Sequence, residues 1–330
     1  MMNKQILLVQ RPKGIVSEEH FELKEDALSS LLDGELIIKN KFISLDPAMR
    51  GWMNEGTTYI KGVELNTVMR AFAVGEVVES KNIDFKVGQK VQGLFGVQEY
   101  FMTDGKNVQK IESSNFPLSW YLGILGMPGL TAYFGLLDKG KPQPGETVLV
   151  SGAAGMVGSL VGQIAKIKGC NVIGIAGGTD KCNYVKNELG FNACIDYKNE
   201  DLAKAIKQLS PNGLNIYFDN VGGQTLDDAL LNLALGARVV VCGAISQYND
   251  AQFNGLKNYM KIVSARGTLN GIIVLDYFYR AQEAINDIST WIQEGKVKYR
   301  EHKIEGLENF ATTLQMLFTG ANNGKLLLQL

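Results

Sequence analysis

The run VLVS at 148–151 passes without a spacer into GAAGMVGSLVGQIAKIKG at 152–169. An apolar strand that ends in spaced glycines and continues with apolar residues at helical spacing predicts strand, tight turn and helix start in direct succession. Gly152, Gly155 and Gly158 fall in the turn and the first helical turn. With no side chains in the way, backbone N–H groups and the helix dipole face outward toward an anion such as a pyrophosphate. In the usual G-x-G-x-x-G spelling the first glycine is here Ala153, and such a turn also occurs where a helix merely packs closely on a strand.

The flanking sequence decides between these. Strand-like runs at 147–151, 171–176, 193–196, 215–219 and 238–242 alternate with helical stretches at 156–168, 181–188, 202–208 and 224–233. That alternation predicts an α/β domain with a doubly wound parallel Rossmann sheet, and hence dinucleotide binding. NAD sites usually place an acidic side chain roughly 20 residues after the glycines, on the ribose diol. Here NVIGIA ends in Gly177, Gly178 and Thr179, no carboxylate stands at the tip, and Lys181 follows. The expected cofactor is therefore NADPH/NADP, with Lys181 at the 2′-phosphate. Asp180 reads as a cap of the next helix.

At 330 residues the chain exceeds one ordinary core, so two domains are expected. The first 120 residues carry GELIIKN, FAVGEVVE, GQKVQGLF and VQEYFMT, short runs punctuated by glycine that predict a mostly β domain. A helical stretch is expected near 276–294, and the closing GKLLLQL returns to the sheet of the first domain. A net charge of -1 without long charged blocks excludes the electrostatic footprint of a nucleic-acid or anionic-membrane binder. The short apolar run after Lys4 is no signal-peptide core, so a cytoplasmic protein is expected. Cys170, Cys182, Cys194 and Cys242 form no CxxC pair and read as buried free thiols.

A catalytic zinc needs three protein ligands in the substrate-holding domain. The first 140 residues offer one histidine, His20, and no cysteine; the other histidine is His302. His20, beside Glu18 and Glu19, reads as a solvated surface residue, so no metal is expected, and hydroxyl or amide donors must stabilise developing oxyanion charge.

GMPGLTAYFGLL at 126–137, PGETVLVSGAAGMVGSLVGQIAK, FDNVGG at 218–223, CGAISQYN at 242–249, LDPAMRGWM at 45–53 and NNGKLLL near the end together resemble the medium-chain dehydrogenase/reductase superfamily. Within it they are similar to the zinc-free leukotriene B4 dehydrogenases, prostaglandin reductases, 2-alkenal reductases and bacterial curcumin reductases. The resemblance implies a GroES-like mostly β catalytic domain (1–125 plus 300–330), an inserted NADP-binding domain (126–299) and a cleft between them. It implies a cofactor site of Gly155, Met156, Val157, Gly158, Lys181, Tyr197, Asn220, Cys242, Gly243, Ala244, Ile245, Ser246, Tyr248, Ile273, Val274 and Asn322. Tyr197 would assist Lys181 at the 2′-phosphate.

Tyr248 is the implied catalytic side chain, its hydroxyl placed for the nicotinamide ribose or the substrate oxygen, against a plainer reading as an aromatic cover for the cofactor. Tyr59, Met127 and Ile272 are the implied substrate contacts. The implied reaction is hydride transfer from NADPH to the β-carbon of an α,β-unsaturated aldehyde or ketone. A homodimer through an edge strand containing 271–275 is also implied. Two departures bear on pocket shape: Ala48 stands where relatives often carry tyrosine, and Ile272 and Ile273 where an aromatic often begins the stretch. A quinone reductase of the same superfamily and a non-catalytic NADPH-binding sensor or interaction protein stay open as alternatives.

Overall fold

The computed structural model describes residues 1–112 and 115–330. They form two compact units, Met1–Gly123 with Glu301–Leu330, and Ile124–Arg300.

The first unit opens with β1 (Met2–Leu8), β2 (Phe21–Ala27), β3 (Leu36–Ser44), the short helix α1 (Ala48–Trp52), β4 (Thr67–Val68), β5 (Ala73–Ser80), β6 (Lys90–Gly93), β7 (Tyr100–Thr103) and β8 (Gln109–Lys110). β1 pairs antiparallel with β2 along its whole length, from Met2 opposite Ala27 to Leu8 opposite Phe21, and with β4 on its other edge. β3 pairs with β5 and β7, and β5 with β6. Arg50 of α1 is buried and fastens this region: its Nε donates to the Gly14 carbonyl at 3.0 Å and its Nη2 to the Pro12 carbonyl at 2.9 Å.

The second unit contains α2 (Met127–Phe134), β9 (Thr147–Ser151), α3 (Met156–Ile167), β10 (Asn171–Ala176), α4 (Thr179–Asn183), β11 (Ala193–Asp196), α5 (Leu202–Leu209), β12 (Leu214–Asp219), α6 (Gly223–Leu230), β13 (Leu233–Val241), α7 (Met260–Ser264), β14 (Thr268–Gly271) and α8 (Ala281–Gln293). Its six strands run in the order β11-β10-β9-β12-β13-β14, and every pairing is parallel. Helices cover both faces of such a sheet, which is why TVLVS and NVIGIA are buried almost end to end instead of alternating. Strand order reverses between β9 and β12, the position where a doubly wound sheet opens a crevice beyond its carboxyl ends.

The chain then returns to the first unit with β15 (Glu301–Glu305), α9 (Phe310–Thr319) and β16 (Lys325–Gln329). β16 pairs antiparallel with β3 and parallel with β15, completing the order β15-β16-β3-β5-β6-β8 with β7 on β3. Leu326, Leu328, Ile38, Ile43 and Met49 share that unit's core.

Three sequence expectations are corrected. His20 is buried: its Nδ1 accepts the Ser17 backbone N–H at 2.9 Å, and its ring meets Phe21 edge-on. A local backbone donor offsets the cost of burying the imidazole nitrogen. The edge strand is Thr268–Gly271, and the chain from Val274 to Arg280 winds as a 3-10 helix, so 271–275 is not a strand. Asp180 does not cap α4, because Gly178, with φ of 94°, occupies the cap and Asp180 lies inside the first turn.

Candidate active site

The glycine turn lies at the carboxyl end of β9, beside the reversal of strand order. Gly152 has φ of 61°, a left-handed conformation that favours glycine. A Cβ on Gly158 would stand 2.3 Å from the Gly152 carbonyl oxygen, so α3 can start this close to the turn only with glycine there. Gly155 is the N-cap of α3 and no side chain caps the helix. The first-turn amides of Met156, Val157 and Gly158 therefore have no intrahelical acceptor and point where an anionic group would sit. These residues fit a dinucleotide pyrophosphate.

A buried carboxylate organises the floor beneath the turn. Asp219, the last residue of β12, has 0% exposure. Its Oδ1 accepts the Tyr217 hydroxyl at 2.7 Å, the Ser151 hydroxyl at 3.0 Å, and the Val221 and Gly222 N–H groups at 3.0 Å each. Its backbone carbonyl accepts from Cys242 at 2.8 Å and Gly243 at 3.2 Å. Asn220 donates its side-chain amide to the Ser151 carbonyl at 2.7 Å and its backbone N–H to the Ser151 hydroxyl at 2.9 Å. The ends of β9, β12 and β13 are thus bound to one another through Asp219. Burial raises the Asp219 carboxyl above the usual carboxylate range, against the opposing pull of these donors.

The loop after β13 follows from that floor. Ile245 donates to the Asn220 carbonyl at 3.3 Å, and Ser246 reaches the Val221 carbonyl through its N–H at 3.1 Å and its hydroxyl at 2.6 Å. Tyr248 is half-buried and turns back over this backbone: the Ala244 N–H donates to its hydroxyl oxygen at 3.2 Å. A Cβ on Gly243 would lie 2.8 Å from that hydroxyl. Gly155, Met156, Val157, Gly158, Asn220, Cys242, Gly243, Ala244, Ile245, Ser246 and Tyr248 accordingly sit around the ends of three neighbouring strands.

Lys181 lies in α4, which follows β10, the neighbour of β9, and Tyr197 follows β11 with its ring against Gly177, where a Cβ would meet it at 2.9 Å. Burial, and then the charge of Lys198, push the Lys181 ammonium pKa down. Ile273 caps the 3-10 helix that begins at Val274. Ile272 is buried, its Cδ1 3.3 Å from where a Gly135 Cβ would stand, and Met127 opens α2. Tyr59 and Asn322 belong to the first unit. Tyr59 is 48% exposed, with its hydroxyl oxygen accepting the Trp52 indole N–H at 3.1 Å; the Asn322 amide donates to the Gly324 carbonyl at 3.0 Å.

Sequence reasoning missed Ser151, Tyr217, Asp219 and Lys198. FDNVGG did carry a signal, since an aspartate ending an otherwise apolar buried strand needs several donors to be tolerated. The thiols are all held protonated: burial pushes Cys170 up to about 11 and, with the Asp219 charge, Cys242 up to about 12, and it also raises Cys182 and Cys194. Cys170 and Cys182 are buried, whereas Cys194 and Cys242 are half-buried. Among the described residues no group of three or more His, Cys, Asp or Glu side chains is placed to hold a metal ion.

Family models for the N-terminal domain of oxidoreductase and for zinc-binding dehydrogenase match residues 4–111 and 156–290. The chain is 39% identical to the NADPH-dependent curcumin reductase of Escherichia coli, over 99% of this chain and 96% of that protein. It is 39% identical to the NADP-dependent 2-alkenal reductase of Nicotiana tabacum, over 98% and 96%. The crystal structure of CurA in complex with NADPH from Vibrio vulnificus superposes with a TM-score of 0.94 at 40% identity, covering 99% of this chain and 98% of that one.

Proposed function

This chain belongs to the zinc-free branch of the medium-chain dehydrogenase/reductase superfamily, and on that footing we propose that it is an NADPH-dependent reductase of the C=C bond of α,β-unsaturated aldehydes and ketones. The observation that carries the reading is the Gly152–Gly158 cradle at the strand-order reversal, beside the β10–α4 connection whose helix bears Lys181. It stands in a chain similar throughout to a 2-alkenal reductase and to a protein solved with NADPH.

NADPH, when bound, supplies the hydride. The first-turn amides of α3 hold the pyrophosphate, and Lys181 with Tyr197 holds the 2′-phosphate. Asn220, residues 242–246, Ile273 and Val274 would flank the nicotinamide half, and Met127 would be a substrate contact. The Tyr248 hydroxyl oxygen accepts from the Ala244 N–H at 3.2 Å, and its O–H carries the proton that this reading assigns to the reaction. It offers that proton to the substrate carbonyl oxygen, where negative charge grows as the β-carbon accepts hydride. The Asp219 network keeps the turns that carry these groups in place before the substrate arrives.

The chain acts as a homodimer. Among the described residues β14 pairs only with β13, leaving its outer edge open, and Leu269 within it is exposed, as are Met260 and Val263 of α7. Addition of a second copy's strand across a two-fold axis would satisfy that edge. Light scattering that returns a monomer at micromolar concentration would remove this part. We also place the protein in the cytoplasm, where its four free cysteines stay reduced; among the described residues no helix is long and apolar enough to cross a membrane.

The test is NADPH oxidation with a 2-alkenal, an alkenone and a quinone, repeated with NADH and with a chelator. Chelator-resistant, NADPH-preferring turnover of the alkenal or alkenone is expected. Absence of turnover despite NADPH binding would overturn the reading.

A further inference from the structure

The tips of β10 and β11 hold more positive charge than Lys181 alone. Asp196, the last residue of β11, is 7% exposed, and its carboxylate is committed to the loop around it. Oδ1 accepts the Gly178 N–H at 2.7 Å and the Lys198 N–H at 3.2 Å, while Oδ2 accepts the Asn199 side-chain amide at 2.8 Å. These bonds, that of Gly178 first, hold the carboxyl below its usual range. The Asp196 N–H in turn donates to Glu200 Oε1 at 2.7 Å. One carboxylate oxygen therefore binds the backbone just past β10 to the backbone just past β11.

Between those two points the Tyr197 ring covers Gly177, and Lys181 follows Gly178 by three positions. The two lysines are close enough that the charge of Lys198 disfavours protonation of Lys181. Like charges held together cost free energy in the fold alone. A bound anion removes that cost.

We propose that Lys198 is a second cation for the adenosine 2′-phosphate of NADPH, positioned by Asp196, and that Lys181 and Lys198 together set the preference for NADPH over NADH. The proposal rests on the NADPH reading above. A phosphate monoester carries roughly -1.5 to -2 charges at neutral pH, which one ammonium leaves partly unmatched and two nearly balance. Asp196 ends β11, not β10, whose tip carries the acidic residue in NAD sites. Its oxygens are occupied by N–H donors, so they do not recruit a ribose diol.

The probes are adenosine 2′,5′-bisphosphate and 5′-AMP, titrated calorimetrically into the full chain, beside turnover with NADPH and NADH. Lys198→Gln should weaken the bisphosphate about tenfold, leave 5′-AMP unchanged, and raise KM for NADPH by a similar factor at constant kcat. Lys198→Arg should restore most of the loss, because the charge returns. Asp196→Asn should raise KM for NADPH and not for NADH, since it loosens the backbone that carries both Lys181 and Lys198 without touching the pyrophosphate turn. Unchanged bisphosphate affinity in Lys198→Gln, at an unchanged Tm, would overturn the proposal. A wild-type chain that binds 5′-AMP as tightly as the bisphosphate would overturn the NADPH reading itself.

Discussion

The Ser151 hydroxyl donates to the Asp219 carboxylate at 3.0 Å, joining the last residues of the two strands between which the sheet reverses order. Asp219→Ala would strand this donor together with the Tyr217 hydroxyl and the Val221 and Gly222 amides, all directed into a buried space. Each orphaned buried donor costs about 1–3 kcal/mol, so a total loss of about 3 kcal/mol or more is expected in urea unfolding. A loss below about 1 kcal/mol would show that the network is not what holds the three strand ends.

The same carboxyl gives a pH dependence with a definite sign. Burial raises its pKa in the folded chain, so the native state retains a proton that the unfolded state releases near pH 4. Stability must then fall as pH rises from about 4 to the raised folded value, and level off above it. Asp219→Asn should abolish that decline. Unfolding free energies of the two proteins that stay parallel across the window would sink the assignment.

Gly158→Ala places a methyl group 2.3 Å from the Gly152 carbonyl oxygen. The turn must open, and the first-turn amides of α3 lose their alignment. KM for NADPH should rise at least about tenfold with a lower Tm, in line with the usual 1–3 kcal/mol cost of overpacking. Normal NADPH titration of this variant would mean that the cofactor does not depend on the turn.

Tyr248→Phe removes a proton donor while leaving the ring in place. If the hydroxyl serves the carbonyl oxygen, kcat for an enone should drop by about a hundredfold, with NADPH affinity nearly unchanged. Equal kinetics would reduce the side chain to a cover over Gly243.

In the first unit, Lys325 Nζ donates to Asp46 Oδ1 at 2.7 Å and to the Leu45 carbonyl at 2.9 Å, and Lys325 is only 3% exposed. Lys325→Met would leave the Asp46 carboxylate buried without its counter-charge, a loss of about 3–5 kcal/mol. Asp46→Asn in the same chain should recover part of it. A Tm unaffected by Lys325→Met would show that Asp46 finds another cation.

The second unit was legible because a parallel sheet buries both faces of its strands, so TVLVS and NVIGIA stand out as apolar blocks between helical stretches. The glycine turn was legible for a related reason: a helix that starts this close to a strand end needs absent side chains, and glycine spacing records that directly. His20 and Asp180 misled because each was weighed by its sequence neighbours. His20 is decided by the Ser17 backbone, and the α4 cap by the positive φ of Gly178. Ser151, Tyr217 and Asp219 escaped notice because their role exists only where β9 and β12 become neighbours, and 68 positions separate Ser151 from Asp219. Lys198 was hidden likewise, since its link to Gly178 runs through an Asp196 oxygen.

The thiols carry a consequence for the working life of such a protein. Enals and enones alkylate thiolates, and a reductase meets them at the highest concentration where it binds them. Cys170 and Cys242, with pKa values near 11 and 12, are almost wholly in the thiol form at neutral pH, and Cys182 and Cys194 are shifted the same way. The thiolate is the attacking species. The chain thus keeps its four sulfurs in the weakly nucleophilic thiol form while it handles electrophiles.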